Sequence, residues 1–249
     1  SSDISKKSHK AGSSANGLQV YDLNVDPANP SFAGSSPVSY IHDLIVHSYT
    51  SGPYAGKEIV FAFSGGSGVR IIDVTDKNNM IVLSTTSYPN KTYTHHGALS
   101  EDLQYLFVND ELDEPNNANV STTTTYVLDV QNLSAPGYVT SFTNGLAAID
   151  HNPMVRGNYL YEANYTSGLR VYDISDINNV TEVGHYDTYP ATNATTFNGA
   201  WGVDASLPSG TVLVSDIQSG LFVLDPSRVI GSNGSYLVEL ADLETITGV

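Results

Sequence analysis

Histidines and acidic residues recur at one place in three successive segments of the chain. His42, His95 and His151 lie 53 and 56 residues apart, and each has an acidic residue or a second histidine beside it. Neutral imidazole and carboxylate groups that converge from separate segments are typical of divalent-metal sites. The candidate ligands of this histidine ring are His42, Asp43, His95, His96, Asp150 and His151. A hydrogen-bonded polar ring around water is the alternative interpretation.

The segment NDELDEPNNAN, residues 109–119, holds a second set of candidate ligands. Its four acidic residues are Asp110, Glu111, Asp113 and Glu114. Hard cations such as calcium take oxygen ligands of this kind. The segment lacks the D-x-[DN]-x-[DN]-G spacing of an EF-hand, so it predicts no particular cage. It is otherwise a solvated acidic turn, or a loop whose first two acidic residues extend the histidine ring.

A repeated motif indicates which elements must position these residues. Its copies are GLQVYD (17–22), GVRIID (68–73), TYVLD (125–129), GLRVYD (168–173) and GLFVLD (220–225). The terminal aspartates are spaced 51, 56, 44 and 52 residues apart. Apolar residues alternate with others up to a turn former, which predicts a strand followed by a tight turn. We expect the aspartates to cap these turns through side-chain to backbone hydrogen bonds.

Further short apolar runs accompany the motif, two before it and one after it. Four short strands in roughly 50 residues, without helical periodicity, predict an all-β fold, a β-propeller of four-stranded blades. In a propeller the inner strands surround the axis, so the histidines would converge near one mouth of the channel.

The pattern predicts four full blades plus a partial first blade, in which two inner strands are missing. Residues 243–249 are a candidate closing strand. The predicted boundaries are a Ser/Lys-rich N-terminal segment at 1–16 and a propeller domain at 17–249, with blades at about 17–39 (partial), 40–92, 93–146, 147–196 and 197–242.

Composition limits the classes of partner. The 249 residues include 10 basic and 26 acidic ones, which gives a formal net charge of −16. Nucleic acids and anionic membrane surfaces attract basic proteins, so this balance argues against both. No apolar run approaches the roughly 18 residues of a membrane helix, so we expect no direct membrane insertion. The absence of cysteine excludes disulfides, thiolate metal sites and cysteine nucleophiles.

Longer strings carry a family resemblance. In order, they are SGVRIIDVTDKNN, YTHHGALSEDLQYLFVNDELDE, AIDHNPMVRGNYLYEANYTSGLRVYDISDI, FNGAW and VSDIQSGLFVLDP. This series, from about residue 17 to 226, resembles the choice-of-anchor B family of LVIVD-repeat proteins. The resemblance implies an exported β-propeller that is held at the cell surface by varied anchors or released. It implies little chemistry, and it implies further blades before the matched region.

Seven N-x-[ST] sequons give weaker support for export, because such sites accept glycans in secreted eukaryotic proteins. The candidate glycosylation sites are Asn90, Asn119, Asn132, Asn164, Asn179, Asn193 and Asn233. Turn chemistry alone also explains them, since Asn, Ser and Thr favour turns.

These observations lead to three functional hypotheses. The first is an extracellular or cell-surface propeller that serves as a structural or interaction scaffold, stabilised by a divalent cation (calcium or a transition metal). Its incomplete first blade would take a strand from a neighbouring chain and so build a homo-oligomer or filament. The second is a metal-dependent hydrolase that uses the axial His/Asp ring, although no G-x-S-x-G elbow or other catalytic motif is present. The third is a carbohydrate- or ligand-binding module. Other surface proteins and glycans are the expected partners, and no organic cofactor is expected.

Overall fold

The computed structural model describes residues 7–11, 17–36, 38–227 and 238–239, and these residues are almost entirely β-structure. They form nineteen strands, one turn of α-helix and a 3-10 helix at Gly52–Tyr54. The strands that follow the alternating runs are short, because each run ends after five or six residues at a turn former. None of the described helices is long and apolar enough to cross a membrane.

The chain divides into two compact units. The first comprises Ser1–Ser87, Tyr93–His95 and Asn132–Pro136, and the second comprises Tyr88–Thr92, His96–Gln131 and Gly137–Val249.

The first unit contains a three-stranded and a four-stranded sheet, each with its strands in sequence order. The three-stranded sheet consists of β1 (Lys7–Ala11), β2 (Leu18–Asp22) and β3 (Ser31–Ser36). The four-stranded sheet consists of β4 (Asp43–Ser48), β5 (Glu58–Phe63), β6 (Val69–Asp73) and β7 (Ile81–Thr86). All neighbouring strands in both sheets are antiparallel. Every residue of β5 is buried, which shows that this strand is covered on both faces.

Three further sheets follow along the chain. The first has β8 (Thr94–Leu99), β9 (Tyr105–Asp110), β10 (Thr125–Asp129) and β11 (Gly137–Phe142), with α1 (Asp113–Asn116) between β9 and β10. The second has β12 (Asn152–Arg156), β13 (Tyr159–Ala163), β14 (Leu169–Asp173) and β15 (Thr181–Tyr186). The third has β16 (Ala200–Asp204), β17 (Val212–Asp216) and β18 (Gly220–Leu224). A two-residue strand, β19 (Val238–Glu239), adds in parallel to the outer edge of β15.

The repeated aspartates cap turns as predicted. In each motif copy a carboxylate oxygen accepts a hydrogen bond from the backbone N–H two residues later, at 2.8–2.9 Å. The five aspartates are Asp22, Asp73, Asp129, Asp173 and Asp225. This interaction is local, which is why the sequence alone could indicate it.

The beginning of the chain differs from the prediction. Residues 1–16 were expected to lie outside the blades, but Lys7–Ala11 forms β1 and pairs with β2. The first sheet therefore has one of the two inner strands that the sequence pattern lacked. A five-residue stretch of polar and basic residues carries no apolar alternation, so periodicity could not reveal it. The predicted closing strand at 243–249 lies outside the described residues.

One of the predicted glycosylation sites is wrong. Asn164 is fully buried, and its side-chain amide donates to Glu162, so it cannot carry a glycan in this fold. Five other sequon asparagines are exposed and stay predictions, namely Asn90, Asn119, Asn132, Asn179 and Asn193. Asn233 lies outside the described residues.

Candidate metal centre

The acidic segment after β9 folds inward, into the second unit. The strand ends at Asp110, and the chain then makes the single helical turn α1, whose first residues are Asp113 and Glu114. Acidic residues in the first turn suit the partial positive charge of the backbone N–H groups there. Asp110 and Asp113 are fully buried. The interpretation of this segment as a solvated turn is therefore wrong.

Three carboxylates meet in this place. Asp113, Glu114 and Asp150 each offer an oxygen, and these oxygens all lie within 4.8 Å of one another. Asp113 and Asp150 are fully buried, and both carboxylate oxygens of Glu114 are also shielded from solvent. Within the described part of the chain, four of their oxygens have no hydrogen-bond partner: Oδ1 of Asp113, both Oε atoms of Glu114 and Oδ1 of Asp150.

The other oxygens of the two aspartates are held in place by neutral donors. The hydroxyl of Tyr126 donates to Oδ2 of Asp113 at 2.7 Å. The amide Nδ2 of Asn109 donates to Oδ2 of Asp150 at 2.5 Å. Each aspartate thus has one oxygen fixed by the protein and the other left unpaired. This arrangement orients the unpaired oxygens, as outer-sphere hydrogen bonds do in metal sites.

Asp110 plays a different part. Its Oδ2 accepts hydrogen bonds from the Tyr88 hydroxyl at 2.9 Å and from the backbone N–H of Thr92 at 2.7 Å. These bonds tie the segment before β8 to the end of β9. Asp110 is therefore a buried structural residue beside the three carboxylates.

Burial controls the protonation of the three carboxylates. It raises the pKa of Asp113 to about 7, and the negative charge of Asp110 adds to the effect. Burial and the charge of Asp113 raise the pKa of Glu114 to about 10. Burial and the charges of Glu114 and Asp113 place the pKa of Asp150 well above its usual range. In the described residues no lysine or arginine pairs with the cluster, so its negative charge calls for protons or a cation.

A polar layer that the sequence analysis missed supports Asp150. Glu162 of β13 is fully buried and accepts from Thr125 at 2.6 Å and from Asn164 at 3.0 Å. Asn109 links Glu162 to Asp150, because its Nδ2, which donates to Asp150, also lies 3.4 Å from Oε1 of Glu162. Burial raises the pKa of Glu162. A charged residue inside the otherwise apolar run YLYEA was the available signal, since such residues are rarely buried without a role.

The predicted histidine ring is present in parts. In the first unit the rings of His42 and His95 lie 4.3 Å apart between centroids. Nδ1 of His42 contacts the hydroxyls of Tyr93 at 2.8 Å and Tyr40 at 3.0 Å, which leaves Nε2 as the nitrogen that a metal could take. Oδ1 of the neighbouring Asp43 accepts the backbone N–H of Leu44. These contacts form a hydrogen-bonded polar network in the first unit, and both the metal site and the polar ring around water stay predictions.

His151 lies in the second unit, where His96 is half-buried on β8. Nδ1 of His151 contacts the carbonyl oxygen of Trp201 at 2.5 Å. A carbonyl only accepts, so Nδ1 carries the hydrogen and Nε2 faces Glu111, whose Oε1 is 3.5 Å away. The Tyr165 hydroxyl donates to the same oxygen at 2.6 Å. The sequence grouped Asp150 with His151, but the two adjacent side chains point to different carboxylates.

Trp201 differs from expectation. In the sequence, Trp201 lies on the predicted inner strand FNGAWGV (197–203), where a tryptophan is more often a core residue than a ligand platform, yet Trp201 is 54% exposed at the start of β16. A backbone register shift between Ala200 and Gly202 explains this, because the extra residue at a bulge does not follow the in–out alternation.

The three carboxylates match a hard cation. Calcium takes six to eight oxygen ligands and accepts both monodentate and bidentate carboxylates. Two oriented aspartate oxygens and a glutamate with both oxygens unpaired suit that ion, whereas late transition metals favour nitrogen or sulfur ligands. A divalent ion here would also neutralise most of the buried charge.

Comparisons with known proteins support the fold and the repeat. Residues 152–188 match the LVIVD repeat, and this range spans the single sheet β12–β15. The chain is similar to the crystal structure of the computationally designed Ika8 protein, a β-propeller, with a TM-score of 0.58 and 10% identity. The match covers 88% of this chain and 55% of the designed chain. No curated protein matches the sequence. The predicted all-β propeller fold and the LVIVD repeat are confirmed.

Proposed function

We propose that this protein is a β-propeller scaffold that acts outside the cell or at its surface and is stabilised by bound calcium. The observation that carries the proposal is the buried group of Asp113, Glu114 and Asp150 with four unpaired oxygens. Without a cation, burial of these unpaired carboxylates lowers the stability of the folded state. A bound cation would pair with them and remove that cost. The group is shielded from solvent, which favours a structural ion, since a catalytic ion needs an open position.

The proposed location rests on the family resemblance and on two further features. The LVIVD match supports the broader assignment, and the order of the other motifs favours the choice-of-anchor B family within it. Five exposed sequons suit an exported chain. Extracellular calcium is abundant enough for sites with dissociation constants of roughly 0.1–1 mM. Detection of the protein on intact cells or in the medium tests this location, and a purely intracellular pool would contradict it.

Metal content tests the calcium site directly. Protein purified without chelator and then dialysed should contain close to one calcium per chain by plasma mass spectrometry. Glu114→Gln should lose the ion, because the amide replaces one carboxylate oxygen with a donor. Asp76→Asn is the matched control, since Asp76 is exposed and the asparagine keeps the oxygen that accepts from Asn78. Equal calcium in both variants, or none in the wild type after calcium is added back, would refute the site.

Carbohydrate binding is a second candidate function, favoured by an exposed aromatic group in the second unit. Trp201 and Phe197 are about half exposed. Phe197 packs edge-on against Tyr165, and Trp201 packs edge-on against His151. Exposed aromatic faces of this kind can pack against the C–H face of a sugar ring. A glycan array should then give hits that Trp201→Ala removes and that Tyr138→Ala, at a similarly exposed residue of β11, retains. The metal-dependent hydrolase stays a prediction.

A further inference from the structure

The second unit has a cavity of about 380 Å³ that lies apart from the three carboxylates of the calcium site. Three stretches of the chain line it, namely the β8–β9 turn with the first part of β9, the β12–β13 turn, and the turn that follows β14. Its volume is in the range of ligand pockets, which is roughly 300–1,000 Å³. The cavity is therefore large enough for a small organic ligand.

Apolar side chains form the inner part of this cavity. Tyr105, Ile174 and Ile177 line it and pack against a core cluster that includes the fully buried Phe107. Such a surface favours the hydrocarbon part of a ligand, because contact with it removes apolar area from water.

Acidic side chains form the outer part. Glu101, Asp102 and Asp176 line the cavity and are exposed. A backbone N–H group donates to one oxygen of each carboxylate, and the second oxygen of each accepts no hydrogen bond from the described residues. None of the described lining residues is basic, and the adjacent Arg156 donates to two backbone carbonyls of the loop after β16 instead. A cleft with charges of one sign attracts a ligand of the opposite sign.

The first unit shows which cation suits this type of turn. The turns at 73–79 (DVTDKNN) and 173–179 (DISDINN) align without a gap. In the first of them, the ammonium group of Lys77 donates to the backbone carbonyl of Val74 and pairs with Glu58 at 3.0 Å. The chain thus places its own alkylammonium group at this turn.

The second unit has the same backbone but no lysine at this place. The three corresponding residues all line the cavity, and they are Asn158, Ile174 and Ile177. The backbone N–H of Ile174 donates to the carbonyl of Asn158 at 2.8 Å, and the corresponding bond in the first unit measures 2.9 Å. The two turns are therefore equivalent in structure, and the second lacks the ammonium group that the first contains.

We propose that the cavity binds a ligand with a primary alkylammonium group. The ammonium would lie among the carboxylates and take the part that Lys77 plays in the first unit, while the alkyl chain would pack on Tyr105 and Ile177. Small diamines and the lysine side chains of peptides share this chemistry. The site goes beyond the proposed scaffold function, and none of its residues belongs to the calcium site, so its failure would leave the calcium proposal unaffected.

Isothermal titration calorimetry with 1,5-diaminopentane tests the site, since primary amines are protonated at about pH 7. The wild type should bind one molecule per chain and should not bind the neutral analogue 1,5-pentanediol. Nα-acetyl-lysine amide presents the same ammonium group as a peptide would, so the tighter of the two amines identifies the source of the ligand.

Two matched variants test the acidic part of the cavity. Asp176→Asn should weaken diamine binding by about two- to fivefold, because one of the exposed carboxylates is lost. Asp76→Asn should bind like the wild type. Asp76 occupies the equivalent turn and accepts the same backbone hydrogen bond two residues later, but it does not line the cavity. The two variants therefore change the net charge equally and differ only in their place.

The double variant Asn158→Glu, Ile177→Lys tests the cavity itself. It copies Glu58 and Lys77 into the second unit and leaves the formal net charge unchanged. The new lysine should occupy the cavity, so diamine binding should be lost while the melting temperature stays close to that of the wild type. Absence of binding by the wild type, equal binding by Asp176→Asn and Asp76→Asn, or full binding by the double variant would overturn the proposal.

Discussion

Substitution of a buried, hydrogen-bonded residue usually destabilises a protein. We expect Asp150→Asn not to destabilise this protein when calcium is absent. Asp150 is fully buried, with Oδ2 bound to Asn109 and Oδ1 unpaired. Without calcium, the buried carboxyl group of Asp150 has to be either protonated or charged beside Asp113 and Glu114, and the variant removes that cost at nearly constant volume. Its new amide can donate to one of those carboxylates. In chelator, we therefore expect the variant to be at least as stable as the wild type.

With calcium bound, we expect the wild type to be more stable than Asp150→Asn. A ligand present at 100 times its dissociation constant stabilises the folded state by about 2.7 kcal/mol. For a chain of this length, 1 kcal/mol corresponds to roughly 2–4 °C, so the melting temperature of the wild type should rise by about 5–11 °C. Asp150→Asn should show little of this rise, because one of three charged ligands is lost. With calcium, the wild type should be the more stable protein.

Differential scanning calorimetry of both proteins, in chelator and in excess calcium, measures all four melting temperatures. Asp76→Asn controls for the loss of a single surface charge and should follow the wild type in both conditions. A variant that is several degrees less stable than the wild type in chelator, yet keeps the full calcium response, would refute the assignment of Asp150 as a ligand.

Two further predictions concern pH and backbone conformation. The folded-state pKa of Asp113 is raised to about 7, above the value near 4 of an unfolded aspartate, so its contribution to stability is full below pH 4 and is lost as the pH rises through 7. Denaturant titrations in chelator should thus give a lower free energy of unfolding at pH 8 than at pH 5, and a higher one at pH 8 would contradict the burial argument. Gly168 and Gly220 occupy the same motif position with φ of +74° and +85°, but a Cβ at Gly168 would lie 2.2 Å from the carbonyl oxygen of Tyr186, whereas none lies within 4 Å at Gly220. Gly168→Ala should therefore cost about 2 kcal/mol or more beyond Gly220→Ala in the same titrations, and equal costs would refute the clash.

Several elements of the fold could be predicted because their causes are local. The five motif strands end at aspartates, and each aspartate carboxylate accepts a hydrogen bond from the backbone N–H two residues later. A short stretch of sequence therefore suffices to predict both the strand and the turn. Strand β1 had no such signal, because pairing with β2 forms it despite a polar sequence. Trp201 is exposed, against the expectation that a tryptophan on an inner strand is a core residue, because the bulge at this position takes it out of the in–out alternation of the strand.

The sequence by itself indicated which residues are candidate metal ligands. All three carboxylates of the candidate centre are among them, because Asp113 and Glu114 stand in an acidic run and Asp150 stands beside a recurring histidine. Only the tertiary structure decided that these three belong together, while His151 turns to Glu111. The physical reason is that the direction and burial of side chains in loops depend on contacts between strands that are distant in the sequence. Those contacts produce no repeating pattern of residue types from which they could be predicted.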